Sequence, residues 1–184
     1  VGKVSLLKLY SKDKVDLTDI MPLLQDAGIH VMDQMTARFG NLEMNLGFVQ
    51  SFRVIDMNES RIDESEHHDR LEELLNLVFQ GKIYSDPLNA LVLLAKFSWK
   101  EVNILMMYRN LLLQLQPPFS KEKITRALVN HPTIARFLVD VFNQKFNPDT
   151  KKSSLKSRKS TLIPKLSKDF LDLIHPIQDI SEDT

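Results

Sequence analysis

An α+β fold is predicted for this chain: a small βαββ unit over residues 1–60, then a helical bundle over residues 61–148. Three observations predict it. Apolar residues follow period two over residues 3–10 and again from 29 to 55, with one helical stretch between. From about Asp63 the period switches to that of a helix and stays so. Residues 149–161 turn sharply to Lys, Arg and Ser, the composition of a solvated linker, so residues 149–184 form a third division.

The first strand, residues 3–10, places Val4, Leu6 and Tyr10 on one face and Leu7 and Leu9 on the other. Apolar residues on both faces predict a strand covered on both sides. Ser11-Lys12-Asp13-Lys14 is a polar turn. Thr18 or Asp19 is the expected cap of the helix that follows, with Pro22 in its first turn. Ile20, Leu23, Leu24 and Ala27 form its apolar stripe, and Gly28 ends it in the left-handed conformation. Ile29, Val31 and Met35 restart a strand, and Gly40-Asn41 is the expected turn tip. Leu42 to Ile55 reads as a long strand with Phe48, Phe52 and Val54 of one parity and Val49 and Ile55 of the other. Gly47 inside it marks a bulge or a close backbone approach. This is half of a split βαβ sandwich. A closing strand is not evident later in the chain.

In the bundle, residues 65–80 carry Leu71, Leu74, Leu75, Val78 and Phe79 on one side, with Gly81 as the stop. Asp86-Pro87 is a cap followed by proline at the first helical position, ahead of the stripe Leu88, Leu91, Val92 and Ala95. Ser98 and Glu101 have the spacing of a capping box. The helix from there to Leu115 is apolar nearly all round, which predicts a central position. Pro117-Pro118 breaks the pattern. Ser120 caps a helix with Ile124, Leu128 and Val129. His131-Pro132 starts another with Ile134, Phe137, Leu138, Val141 and Phe142, which ends at Asn147-Pro148. Short connections predict a compact bundle. After the linker, Ile163, Leu166, Phe170, Leu173, Ile174 and Ile177 predict a tail helix.

Composition narrows the function classes. Apolar residues make up 43%, enough for a packed core. Lys+Arg and Asp+Glu are both 24, so the formal net charge is zero and nothing global points to nucleic acid or a membrane surface. The absence of cysteine excludes disulfides, thiolate metal sites and Cys nucleophiles, and fits a cytoplasmic setting. No apolar run reaches the ~18 residues of a spanning helix. Val1 and Thr184 read as cuts through a longer chain.

Each chemical signal has a plainer reading. His67-His68 lies among Asp63, Glu64, Glu66, Asp69, Glu72 and Glu73, and His68 and Glu72 share a helix face. No third ligand is spaced for a metal, so a solvated charged face is favoured. His131 is favoured as a cap residue over a catalytic base, and His30 and His175 receive no role. Lys151, Lys152, Lys156, Arg158 and Lys159 could meet phosphates, but no aromatics interleave with them, which favours a plain linker. Trp99, Met106, Met107 and Tyr108 are assigned to core packing over a pocket lining. With five glycines in all, no phosphate-binding glycine loop is present. No catalytic, cofactor-binding or metal-ligating residue is therefore assigned.

An ordered set of short matches resembles the large bacterial NAD-specific glutamate dehydrogenases. Lys8-Leu9-Tyr10, Leu17-Thr18-Asp19-Ile20-Met21-Pro22-Leu23-Leu24 and Gly28-Ile29-His30-Val31-Met32-Asp33 come first. Asp86-Pro87-Leu88-Asn89-Ala90-Leu91-Val92-Leu93 and Phe97-Ser98-Trp99-Lys100-Glu101-Val102 follow. Pro118-Phe119-Ser120, Ala127-Leu128-Val129-Asn130-His131-Pro132-Thr133-Ile134-Ala135-Arg136 and Lys145-Phe146-Asn147-Pro148 complete the set. The resemblance implies an ACT-like unit plus a helical segment upstream of the catalytic domain. No residue here matches the family's catalytic lysines or its nucleotide-binding loop, so NAD belongs to the parent enzyme and no cofactor to this fragment.

The expected function is thus a non-catalytic regulatory or scaffolding segment of an NAD-dependent glutamate dehydrogenase. The implied partners are the downstream catalytic domain, further copies of the chain in a homo-oligomer, and an amino-acid effector beside residues 11–14. The turn there lacks the glycine usual in ligand-binding ACT units. The alternative is a stand-alone helical protein-interaction module with a basic tail.

Overall fold

The computed structural model describes residues 4–40 and 45–146, together with Lys168, Leu171 and Asp172. The expected stop at Asn147-Pro148 and the basic linker lie outside the described residues, as do Asn41 of the turn tip and all of the tail stripe. Among the described residues the fold is α+β, with a three-stranded antiparallel sheet and six α-helices. The order is β1 (Ser5–Ser11), α1 (Leu17–Asp26), β2 (Ile29–Gly40), β3 (Asn45–Asp56), α2 (Glu64–Phe79), a 3-10 turn (Pro87–Ala90), α3 (Leu91–Leu94), α4 (Trp99–Gln114), α5 (Lys121–Asn130) and α6 (Pro132–Phe146). Contacts divide the chain into two compact units, Val1–Val102 and Asn103–Thr184.

In the first unit β3 is central, with β1 and β2 on its flanks. Leu7 stands opposite Phe52, Leu9 opposite Gln50 and Val31 opposite Val54, so these side chains share one face. That face is covered: Phe52, Val54 and Gln50 are buried. The other face is not. Leu6, Tyr10, Met32 and Met35 are all more than half exposed, against the expectation that β1 is covered on both sides. Helical cover on one face of an antiparallel sheet suffices to form a core. On the open face Arg53 and Asp33 form an ion pair at 2.9 Å across β2 and β3.

Helix α1 starts earlier than its sequence predicts. Its N-cap is Asp16, whose side chain makes no capping bond, rather than Thr18 or Asp19. Pro22 consequently falls in the second turn. The cause is tertiary: the buried Gln50 side chain holds the backbone of Val15, and the helix begins directly after that anchor. Ile20 and Leu24 are buried as expected. Gly28 adopts φ +76 at the helix end, and a Cβ there would stand 3.1 Å from Cβ of Ala90. The register of β2 shifts at Met32 and again after Phe39. The second shift faces Gly47, where the strand pattern predicted an irregularity.

Helix α2 is capped by the Asp63 carboxylate, which accepts from the Ser65 N–H. It closes on Gly81 at φ +65, with Gly81 N–H bonded to Val78 O and Lys82 N–H to Leu77 O. Asp86 Oδ1 accepts from Leu88 N–H and starts the 3-10 turn. Leu88, Leu91, Val92 and Phe97 are fully buried, each such side chain contributing about 2 kcal/mol of transfer free energy. The capping box forms: Glu101 Oε2 accepts from the N–H and hydroxyl of Ser98 at 2.8 and 2.9 Å.

In the second unit Leu105, Ala135 and Val139 are buried. Two polar residues are buried with them. Arg109 Nη1 donates to Thr125 Oγ1 at 2.9 Å, and that hydroxyl donates to Lys121 O at 2.8 Å. The expectation of a central α4 is corrected. Met107, Leu111, Leu112 and Leu115 are between two fifths and three quarters exposed. A short group of helices covers only one stripe of each member.

Candidate functional site

Two concavities, both in the first unit, gather polar side chains. The smaller, of about 290 Å3, lies beside the connection from β1 to α1 and is lined by Lys14, Asp16, Leu17, Thr18, Gln34 and Thr36. The Gln50–Val15 anchor shapes its rim, because it fixes the backbone between Lys14 and Asp16. Gln34 Nε2 donates to Thr36 Oγ1 across one strand residue. The cavity thus offers a cation, a carboxylate and a set of neutral donors and acceptors. Lys14 belongs to the polar turn singled out in the sequence. Gln34 and Thr36 carried no signal, because only the pairing of β2 brings them there.

The larger cavity, of about 1140 Å3, opens at the start of α2 and is lined by Arg61, Asp63, Ser65, His68, Asp69, Arg70 and Lys96. Lys96 reaches it from the loop after α3, at the left-handed φ of +56. Sequence reasoning marked Asp63, His68 and Asp69 but missed Arg61, Arg70 and Lys96. Their convergence depends on tertiary structure alone.

The other candidates have structural partners. His68 Nε2 lies 3.2 Å from Glu72 Oε2, an exposed pair one helical turn apart. Among the described residues no group of three or more His, Asp or Glu side chains is placed to hold a metal. His131 is the C-cap of α5, and its carbonyl accepts the N–H groups of Ile134 and Ala135 in the first turn of α6. Trp99 Nε1 donates to Glu73 Oε1 at 2.9 Å. Tyr108 meets Phe142 edge-on, with ring centroids 5.9 Å apart. Met107 and Tyr108 are exposed, against their assignment to the core. Among the described residues no helix is long and apolar enough to cross a membrane.

Residues 83–148 match the family model described as glutamate dehydrogenase, helical motif 3. Three curated relatives carry the name NAD-specific glutamate dehydrogenase. The protein of Pseudomonas aeruginosa is 28% identical over 140 residues, covering 76% of this chain and 9% of that protein. That of Halomonas elongata is 25% identical over 143 residues, covering 77% of this chain and 9% of the relative. That of Mycobacterium tuberculosis is 26% identical over 137 residues, covering 72% and 8%. The chain therefore spans less than a tenth of the length of the relatives it matches. The resemblance read from the short motifs is borne out by these matches.

Proposed function

We propose that this chain is a non-catalytic scaffolding and regulatory segment of an NAD-dependent glutamate dehydrogenase. The whole enzyme would convert L-glutamate to 2-oxoglutarate and ammonia, with hydride passing to NAD, in the cytoplasm. The match of residues 83–148 to the helical motif carries this reading. Further support comes from relatives that align along some three quarters of the chain.

In this reading the βαββ unit is ACT-like, and its strand order is consistent with a split βαβ arrangement. Both β1 and β2 are edge strands of the described sheet, with backbone groups available for pairing in a homo-oligomer. The helical segment positions the catalytic domain. Assayed alone, the purified chain should neither turn over glutamate nor retain NAD. Deleting the matching region from the Pseudomonas aeruginosa relative should disrupt assembly and lower dehydrogenase activity. An undiminished deletion variant would refute the scaffolding role.

The regulatory part rests on the cavity beside residues 14–18. Its volume of about 290 Å3 suits a free amino acid. Lys14 can meet an α-carboxylate and Asp16 an α-ammonium group. Calorimetry with a panel of amino acids tests it. A panel that produces neither heat nor a thermal shift removes the regulatory role and leaves scaffolding.

A further inference from the structure

The second unit carries an open apolar face that the reading above leaves unused. Met107 and Leu111 lie one turn apart on α4, and Leu115 follows just past its end; they are 49%, 51% and 74% exposed. Tyr108 and Leu112 flank this line, each close to two fifths exposed. Tyr108 meets Phe142 edge-on, and Phe142 meets Phe146 with ring centroids 5.0 Å apart, so the face continues to the end of α6. Between Asn103 and Gln116 the one charged residue is Arg109, and it is buried. A solvated helix face carries charged and polar side chains, whereas a contiguous apolar one marks a docking surface.

The same chain supplies a segment of matching chemistry. Helix α6 ends at Phe146, inside the face. Residues 147–162, sixteen in number, separate it from Ile163, where the predicted tail stripe begins. Sixteen residues reach up to about 50 Å, and the 16-residue α4 is about 24 Å long, so the tail can meet any part of the face. A tether this short sets an effective concentration on the order of millimolar, above that of a second copy in dilute solution. Lys168, Leu171 and Asp172 are helical and exposed. At helical spacing these three share one side, and the uncharged stripe of Leu166, Phe170, Leu173 and Ile177 falls on the opposite side.

We propose that residues 163–177 fold back as a helix onto α4 and bury their stripe against Met107, Leu111 and Leu115. Amide hydrogen exchange of the 184-residue chain tests the docking. Amides from Leu166 to Ile174 should exchange about tenfold more slowly than in an unstructured chain, or slower still. Leu111→Asp should abolish that protection. Leu111 is half exposed, so the rest of the unit should persist, which unchanged exchange around the buried Val139 checks. Leu6→Asp, on the open face of the sheet in the first unit, should leave the tail protected. The converse variant Phe170→Asp should speed the oxidation of Met107 by peroxide several-fold. Unprotected tail amides in the wild type overturn the docking. So does protection that survives Leu111→Asp, or Met107 oxidation unchanged by Phe170→Asp. Tail protection that falls on dilution of the protein assigns the face to a second copy and overturns the docking within one chain.

Discussion

Gln50 clasps the backbone of Val15 from 35 residues away: its Nε2 donates to Val15 O at 2.9 Å and its Oε1 accepts from Val15 N–H at 3.3 Å. Gln50 itself is fully buried in β3. One side chain therefore satisfies both polar groups of a residue outside any strand or helix. It also sets where α1 begins. Gln50→Leu keeps the bulk but removes both bonds, leaving polar groups unpaired, and should cost about 2 kcal/mol. Urea unfolding measures this. Exchange of the Val15 amide should accelerate in the variant before global unfolding; unchanged protection would refute the anchor.

Gly47 is the second backbone constraint of the sheet. Its φ is +144, and an added Cβ would lie 2.5 Å from Ser11 O and 3.0 Å from the Phe39 ring. The aromatic ring sits over the glycine from the neighbouring strand, as cross-strand aromatics do at bare positions. Gly47→Ala meets a rigid carbonyl as well as an unfavourable dihedral, and should cost about 3 kcal/mol. Phe39→Leu removes only ring contact from a residue that is 40% exposed, and should cost about 1 kcal/mol. Thermal denaturation of the two variants should rank them in that order.

Much of this was legible in the sequence, for physical reasons that differ between elements. Signals that act within a few residues held: the Ser98–Glu101 box, the Asp86 cap, the Gly28 and Gly81 stops and the Ser120 cap all form. Signals that require tertiary context did not. The start of α1 follows Gln50, which strand parity counts only as a polar interruption. Leu6 and Tyr10 alternate correctly, but periodicity cannot say that their face has no cover. The apolar residues all round α4 carried no sign that Arg109 would take a buried place and Leu111 an exposed one. Cavity linings were the least legible, since Arg61, Arg70 and Lys96 meet only through the fold.

The first turn of α5 should respond to acid. Ser120 Oγ accepts from Lys123 N–H at 3.2 Å, and Glu122 lies between them. A backbone N–H at the helix start, then the Ser120 hydroxyl, hold the Glu122 carboxyl below its ordinary value of 4.5. A group whose acidity rises on folding binds protons more readily when unfolded. Its stabilisation is therefore complete above the ordinary value and is lost as pH falls through the folded one. Glu122→Gln should flatten this part of the stability–pH curve below pH 4.5. Identical wild-type and variant acid titrations would remove Glu122 from the effect.

The Arg109–Thr125 pair gives the most discriminating test of the second unit. The two residues connect α4 to α5 through a chain that ends on Lys121 O, and both are buried. Thr125→Val preserves shape but deprives a guanidinium N–H of its acceptor, so it should cost about 2 kcal/mol. Arg109→Met removes the charge together with its bonds to Thr125 and Asn110, and leaves the Thr125 hydroxyl its bond to Lys121 O, so it should destabilise as well. The double variant removes the mismatch that Thr125→Val creates. It should therefore be more stable than the sum of the single losses predicts, with a coupling of about 1 kcal/mol. Chemical denaturation of all four proteins measures that coupling. Strict additivity would mean that the guanidinium finds equivalent acceptors without Thr125, and that the bond aligns the helices without stabilising them.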